Sequence, residues 1–260
     1  METIRANWYD YPHLYDIAFG WDPGGELDFL EEAFRRFAKR PVRSVFEPFC
    51  GTGRIAIGLV QRGYRVSGLD INEAAIRYAR QRCEQFGVEL DLAVGDVCDW
   101  VPSVPVDAVV TLIDSFRHLC TAEAAATAMR RFHAGIAAGG VLIVGLDVGK
   151  KPAHVEEEQH WTAQREGTVV ETLVFDLRKP GQTPGTSIVR SVLHVSEPDG
   201  RKYKVLTDDE FRLYTLASFK QLAREHGPFE LVAVHDLHYD FERPVTSPDP
   251  SDIVVVFTRS

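Results

Sequence analysis

Three acidic residues and a glycine loop stand at spacings that suit a nucleoside-containing ligand. Glu47 precedes the loop Gly51–Gly53, Asp70 follows the next apolar run, and Asp96 follows the one after that. A carboxylate at a strand end can accept hydrogen bonds from both hydroxyls of a ribose. Glycines allow backbone dihedral angles that let a ligand come close. The pattern predicts a nucleoside site with Asp70 at the ribose.

The residues around the loop predict the elements that hold it. An apolar run ends at Val45 and Phe46, and an apolar stripe at helical spacing begins at Ile55. The order is therefore strand, glycine loop, helix. This places the loop at the carboxyl end of a strand and the amino end of a helix, where open α/β sheets bind nucleotide-like ligands.

Apolar runs and helical stripes alternate over the first 150 residues. Such alternation indicates an α/β fold built on a doubly wound, Rossmann-like parallel sheet. After residue 150 the pattern changes to alternating polar and apolar residues separated by Pro-Gly turns, which predicts a small inserted antiparallel β-sheet. A helix and two more strands follow. The predicted divisions are an N-terminal lid segment 1–25, an α/β domain 26–150, a β insertion 151–213 and a return to the α/β domain over 214–260.

The N-terminal segment is dense in aromatic residues, including Trp8, Tyr9 and Tyr15. Two interpretations stay open. The rings form core packing, or they form a lid that excludes water from a site and opens for exchange.

Two general functions are compatible with a nucleoside site at this glycine loop. Gly51-x-Gly53-x-x-Ala56 is a permitted dinucleotide fingerprint, so an NAD(P)-dependent oxidoreductase is one of them. Glu47 argues against it, because a dinucleotide fold normally stays apolar up to its first glycine. Asp70 does not decide, because a carboxylate at this position can bind the ribose of NAD or of another nucleoside cofactor. A non-catalytic cofactor-binding module is the second function.

Four stretches in order resemble the class I S-adenosylmethionine-dependent methyltransferases. Residues 47–54, Glu-Pro-Phe-Cys-Gly-Thr-Gly-Arg, resemble their motif I, and Gly95-Asp96-Val97 resembles their adenine motif. Residues 112–119 resemble the F-x-S-x-x-H loop of small-molecule N-methyltransferases. Residues 137–142 resemble the family's post-motif turn, usually written L-x-P-G-G-x-L, with alanine in place of the proline. The resemblance implies the seven-stranded methyltransferase fold and S-adenosyl-L-methionine as cofactor.

The resemblance also implies a set of site residues. The segment Tyr11–Asp16 is similar to the lid of glycine, sarcosine and amino-sugar N-methyltransferases, whose tyrosine approaches the methionine end of the cofactor. His118 would serve as a base, since a free imidazole titrates near pH 6.5. The implied catalytic residues are His118 and Tyr15, and the implied cofactor-binding residues are Tyr15, Glu47, Gly51, Gly53, Arg54, Asp70, Ile71, Asp96, Val97 and Leu112. The acceptor would be a small molecule, with nitrogen preferred over oxygen.

Composition restricts the partners. The net charge is −9 and no basic cluster is interleaved with aromatics, so nucleic acid is not expected to bind. No signal peptide or membrane-spanning run is recognisable, and a cytoplasmic protein is expected. Nothing in the sequence specifies an oligomeric state.

Metal and disulfide chemistry are not expected either. The four cysteines are scattered without metal-ligand spacing. His154 and His160 flank the acidic run 156–158, which is interpreted as a solvated face and not as a metal site.

Overall fold

The computed structural model describes residues 1–148, 158–243, 245 and 251–260. His154 and most of the acidic run 156–158 therefore lie outside the described residues. In chain order the described strands are β1 (Glu2–Arg5), β2 (Ser44–Pro48), β3 (Arg65–Asp70), β4 (Asp91–Val94), β5 (Val106–Thr111), β6 (Ile136–Asp147), β7 (Glu158–Arg165), β8 (Thr168–Pro180), β9 (Thr186–Ser196), β10 (Lys202–Arg212), β11 (Glu230–Asp236) and β12 (Asp252–Thr258).

Helices connect most of these strands. The α-helices are α1 (Pro12–Ala18), α2 (Gly24–Phe37), α3 (Arg54–Gln61), α4 (Glu73–Phe86), α5 (Ala122–Gly135) and α6 (Leu216–His226). Short 3₁₀ helices cover Trp8–Asp10, Val97–Asp99 and Ser115–His118. The side chains of Asn72 and Thr121 cap α4 and α5, because each accepts a hydrogen bond from a backbone N–H of the first turn. Among the described residues no helix is long and apolar enough to cross a bilayer.

The central sheet has the order β11-β12-β6-β5-β2-β3-β4 across the described strands. Strands β2 to β6 pair in parallel, whereas β12 is antiparallel to β6 and β11 is antiparallel to β12. Fully buried apolar residues of β5, β6 and β12 form the core, as expected for a sheet covered on both faces. The predicted fold class, a Rossmann-like sheet with an inserted small sheet, is confirmed.

A second sheet lies outside the α/β core and has the order β1-β10-β9-β8-β7. Its four antiparallel strands come from the predicted insertion. The fifth, β1, comes from the amino terminus and pairs in parallel with β10, with Glu2 opposite Tyr203. The sequence pattern does not predict this strand. Because β1 joins the inserted sheet, the N-terminal segment is tied to the insertion at its first residues.

A buried carboxylate fixes the next part of that segment. Asp16 of α1 is fully buried and forms ion pairs with Arg82 of α4, at 2.8 Å, and with Arg165 of β7. The Tyr78 hydroxyl donates to it at 3.1 Å. Asp16 thus joins the N-terminal segment to both the α/β domain and the inserted sheet.

Replacing Asp16 by alanine is expected to lower the free energy of unfolding by about 3 kcal/mol, because the mostly buried Arg82 guanidinium loses its counter-charge. That corresponds to a fall in Tm of roughly 6–12 °C for a protein of this size. Asp22→Ala is the control: Asp22 is exposed and only caps Gly24, so its loss should cost no more than about 1 kcal/mol. Equal Tm values for the two variants would contradict the anchoring role.

Candidate active site

A cavity of about 400 Å³ lies at the carboxyl ends of the parallel strands, where the predicted site residues were expected to meet. The loops after β2, β3, β4 and β5 form one wall, and the N-terminal segment and β10 contribute the other. Its lining includes the predicted residues Tyr15, Gly51, Asp70, Ile71, Asp96, Val97 and His118. Its size suits a nucleoside-containing ligand.

The glycine loop after β2 has the left-handed backbone that its glycines allow. Gly51 and Gly53 have φ values of +52° and +78°, a region that L side chains rarely adopt. The Gly51 N–H donates to Asp70 Oδ2 at 2.8 Å. The end of β3 therefore holds the loop, and the loop exposes its backbone to the cavity.

Asp70 is held in one orientation. Its Oδ1 accepts from the Asn72 N–H at 2.8 Å, while Oδ2 accepts from Gly51. Burial raises the pKa of Asp70, and the backbone N–H groups oppose that rise. A carboxylate fixed at a strand end and facing the cavity fits the hydroxyls of a ribose.

The wall beyond Asp70 suits an adenine ring. Ile71 lines the cavity although 71% of its surface is exposed, which is unusual for a large apolar side chain. Val97 is buried beneath the same wall, and Asp96 Oδ1 accepts from the Cys98 N–H at 2.8 Å. An exposed apolar side chain opposite a carboxylate offers packing for a base and an acceptor for its amine.

Four predicted residues do not line the cavity: Glu47, Gly53, Arg54 and Leu112. Arg54 points to α2, where it pairs with Glu26 at 2.9 Å and covers the Trp21 ring. Glu47 is buried beneath the loop, and burial raises its pKa to about 8. Its Oε2 has no hydrogen-bond partner among the described residues. A buried carboxylate oxygen without a partner is compatible with pairing to an amino group of a bound ligand.

His118 lines the cavity and contacts the N-terminal segment. Its Nε2 lies 2.9 Å from the Tyr9 hydroxyl, and its ring packs against Phe211 of β10. Burial lowers the pKa of His118 to about 4. The free imidazole value of 6.5 does not apply to this buried ring, so the imidazole is neutral at pH 7, and the base role of His118 stays a prediction.

The loop between β5 and His118 is strained. Ile113 and Asp114 have φ values of +52° and +62°, and a β-branched residue in this region is a true outlier. Ile113 lines the cavity. Such strain tends to persist where the surroundings impose it, and it is frequent at functional sites.

A smaller cavity of about 130 Å³ adjoins the first. Tyr9, Tyr15 and Ile113 line both, so they form the partition. The inserted sheet supplies part of the lining through Gln159 and Trp161. The linings of the two cavities together extend from Asp70 to the inserted sheet.

Sequence reasoning missed two cavity residues. Tyr9 was noted only as one aromatic among several, and Asp209 of β10 lies in the insertion, where no motif is readable. The available signal for Asp209 was strand alternation, which places it on the same face as Thr207 and Phe211. Alternation predicts which face of the strand carries Asp209, but it does not predict which part of the protein packs on that face.

Residues 45–140 match the model of the family described as "Methyltransferase domain". A Geobacillus protein provisionally named a methyltransferase is 20% identical over 62% of this chain. A protein of Alkalilimnicola ehrlichii named ubiquinone biosynthesis O-methyltransferase is 27% identical over 45% of it. These alignments span 63% and 53% of the relatives' own lengths.

Comparison with solved structures extends over nearly the whole chain. An S-adenosylmethionine-dependent methyltransferase of Clostridium acetobutylicum has a TM-score of 0.75 at 16% identity, with 98% of this chain and 100% of that one covered. The sugar N-methyltransferase KedS8 of Streptoalloteichus sp. has a TM-score of 0.74 at 18% identity, with 95% and 92% covered. At such identities the similarity establishes the fold, including the inserted sheet.

Proposed function

We propose that this chain, whose residues 45–140 are an S-adenosylmethionine-dependent methyltransferase domain, methylates a nitrogen atom of a small molecule. The family match confirms the class I resemblance and the predicted cofactor, and it removes the ground for the dinucleotide interpretation. The individual site residues remain predictions.

The observation that carries this proposal is the position of the main cavity. Its lining joins Asp70 and Asp96, the two carboxylates expected to hold a nucleoside, to Tyr9 and His118. The second cavity shares Tyr9, Tyr15 and Ile113 with the first. A nucleoside in the first cavity would therefore direct its other end toward a space that can receive an acceptor.

The residues present fit the cofactor. Asp70 would bind the ribose, Ile71 and Asp96 would contact the adenine, and Glu47 together with the Gly51 loop would accommodate the methionine moiety. When bound, S-adenosylmethionine supplies a methyl group on a sulfonium, whose sulfur leaves with the bonding pair. The chain's own contribution is to align the acceptor and exclude water, which are the main requirements of an in-line displacement.

We propose that the N-terminal segment 1–25 and the insertion 151–213 provide that exclusion. Tyr9 and Tyr15 separate the two cavities, and their rings lie 5.2 Å apart. Tyr15 stacks on Phe19, whose ring meets Trp161 of the inserted sheet. Because Asp16 ties the segment on both sides, it would act as an anchored cover whose exchange motion is small.

Nitrogen is preferred to oxygen for two reasons. The similar structure of KedS8 is that of a sugar N-methyltransferase. The cavity also contains Asp209, a carboxylate that would attract an ammonium group. The relative from Alkalilimnicola is named an O-methyltransferase, so a hydroxyl acceptor is the second candidate.

Turnover with matched acceptors tests the proposal. Formation of S-adenosylhomocysteine would be followed with 3-amino-3-deoxyglucose against glucose, and with glycine against glycolate. We expect methylation of an amine and no methylation of its hydroxyl partner. Methylation of hydroxyl compounds alone would overturn the nitrogen assignment while leaving the methyltransferase assignment intact.

A further inference from the structure

We propose that the carboxylate of Asp209 binds the acceptor as an ammonium ion and removes a proton from its nitrogen. The inference rests on the nitrogen acceptor proposed above and adds the form in which the acceptor enters. It also assigns the base to the inserted sheet, outside the methyltransferase domain.

The register of β10 directs Asp209 into the cavity. Side chains two residues apart share a face of a strand. On one side of Asp209, the Thr207 hydroxyl oxygen accepts from the Trp8 N–H at 2.9 Å. On the other side, the Phe211 ring lies 4.5 Å from His118. Asp209 stands between these contacts and lines the main cavity beside Tyr9.

The Asp209 carboxylate lacks a partner of opposite charge among the described residues. Its Oδ2 is buried without a hydrogen bond there. Burial raises the pKa of Asp209 to about 6, and the neighbouring carboxylate of Asp208 adds to the rise. A buried anion without a counter-ion is costly, and a cationic ligand would relieve that cost.

No lysine or arginine lines the main cavity among the described residues. The titratable groups around Asp209 are Tyr9 and Tyr15 from the N-terminal segment, His118 and Cys120 from the region after β5, Asp70 in the cavity lining, and Asp208 and Glu210 on the same strand. The nearby arginines are engaged elsewhere: Arg212 donates to the Cys120 carbonyl oxygen at 2.9 Å, and Arg117 pairs with Asp114 and Asp147. Burial keeps the tyrosines protonated and His118 neutral. An incoming ammonium would be the cation that this end of the cavity lacks.

The proton transfer is balanced within the acceptor and the enzyme. An N–H bond of the ammonium breaks, its electron pair stays on nitrogen, and the proton moves to Asp209 Oδ2. The nitrogen then has the lone pair that forms the bond to the methyl carbon. A base with a pKa near the working pH is well matched to this step. His118 is less suited to act as the base, because its Nε2 is hydrogen-bonded to the Tyr9 hydroxyl and its pKa is about 4.

The pH profile of kcat/KM for the amine methylated in the acceptor panel tests the inference. The wild type should give a bell, rising near pH 6 as Asp209 ionises and falling as the free ammonium loses its proton. Asp209→Asn should be slower by about 10²-fold or more at pH 7. Its profile should instead rise toward the pKa of the amine, because only amine that is already neutral can react.

Asp208→Asn is the matched control. Asp208 points to the other face of β10, where it pairs with Arg190 at 2.6 Å. Because burial is the larger cause of the raised Asp209 pKa and the Asp208 charge the smaller, Asp208→Asn should keep the bell and shift its acidic limb only slightly to lower pH. Stability gives a reading that does not depend on activity. A folded pKa raised to about 6 means that the wild type loses stability as pH rises through 6. Asp209→Asn should therefore have the higher Tm at pH 8, with the difference shrinking below pH 6.

The outcomes separate the two proposals. Absence of amine methylation alongside hydroxyl methylation would reject the proposed nitrogen acceptor. Amine methylation with the same profile in Asp209→Asn and wild type would reject Asp209 as the base and leave the nitrogen acceptor intact. Should Asp209→Asn not fold, the wild-type profile alone decides, since a simple rise to the pKa of the amine excludes an acceptor that enters as an ammonium ion.

Discussion

Asp70→Ala is expected to weaken S-adenosylmethionine binding by about 30- to 1,000-fold, which corresponds to about 2–4 kcal/mol. The variant would lose a carboxylate placed to accept from both ribose hydroxyls. It would also lose the acceptor at 2.8 Å that holds the Gly51 N–H. Calorimetric titration with S-adenosylmethionine and S-adenosylhomocysteine measures the effect directly.

Two further variants assign the Asp70 effect to its cause. Asp91→Ala removes an exposed carboxylate at the start of β4, away from the cavity, and should leave cofactor affinity unchanged. Asp70→Asn keeps the side-chain size and one acceptor oxygen, so its affinity should fall between alanine and wild type. An Asp70→Ala protein that binds the cofactor as tightly as wild type would exclude Asp70 from the site.

The half of the site proposed to hold the nucleoside was predictable because its signals are local. A strand, a glycine loop and a helix follow one another within a short segment, and Asp70 stands where its strand ends. Parallel strands bring their carboxyl ends to one edge of the sheet, so Asp70 and Asp96 had to meet. The cavity is found at that edge.

The acceptor half was not predictable, since it is built from contacts between distant parts of the chain. Pairing of Glu2 with Tyr203 and the hydrogen bond from the Trp8 backbone N–H to the Thr207 hydroxyl join the amino terminus to β10. No local pattern encodes such contacts. Strand alternation gives the face of Asp209, but only the docking of the N-terminal segment makes that face part of a cavity.

His118 shows the same difference between what the local sequence predicts and what contacts between distant parts of the chain determine. Its position after β5 followed from the sequence, whereas its pKa of about 4 depends on burial against Tyr9 and Phe211. A neutral imidazole can hold the Tyr9 hydroxyl in place, although it is a weak base. The base role predicted for His118 from the resemblance therefore needs a test that separates proton transfer from positioning.

His118→Ala is expected to lower kcat more than tenfold, because Tyr9 would lose the partner that orients it at the boundary of the two cavities. Its Tm should fall too, since the lost ring is buried between Tyr9 and Phe211. His118→Gln is the decisive partner variant. A glutamine amide can bond the Tyr9 hydroxyl but cannot take a proton, so a positioning residue predicts that it recovers most of kcat.

Tyr9→Phe and the acid stability of the protein complete this test. Tyr9→Phe should reduce kcat as much as His118→Ala, and the double variant should be little worse, as expected for one coupled unit.

A folded pKa lowered to about 4 means that the wild type loses stability as pH falls from 6.5 toward 4. His118→Gln should lose less stability over that range, because glutamine does not titrate. If His118→Gln is instead as slow as His118→Ala while its Tm at pH 7 matches wild type, the imidazole itself moves the proton, and Asp209 would be left to bind the ammonium without deprotonating it.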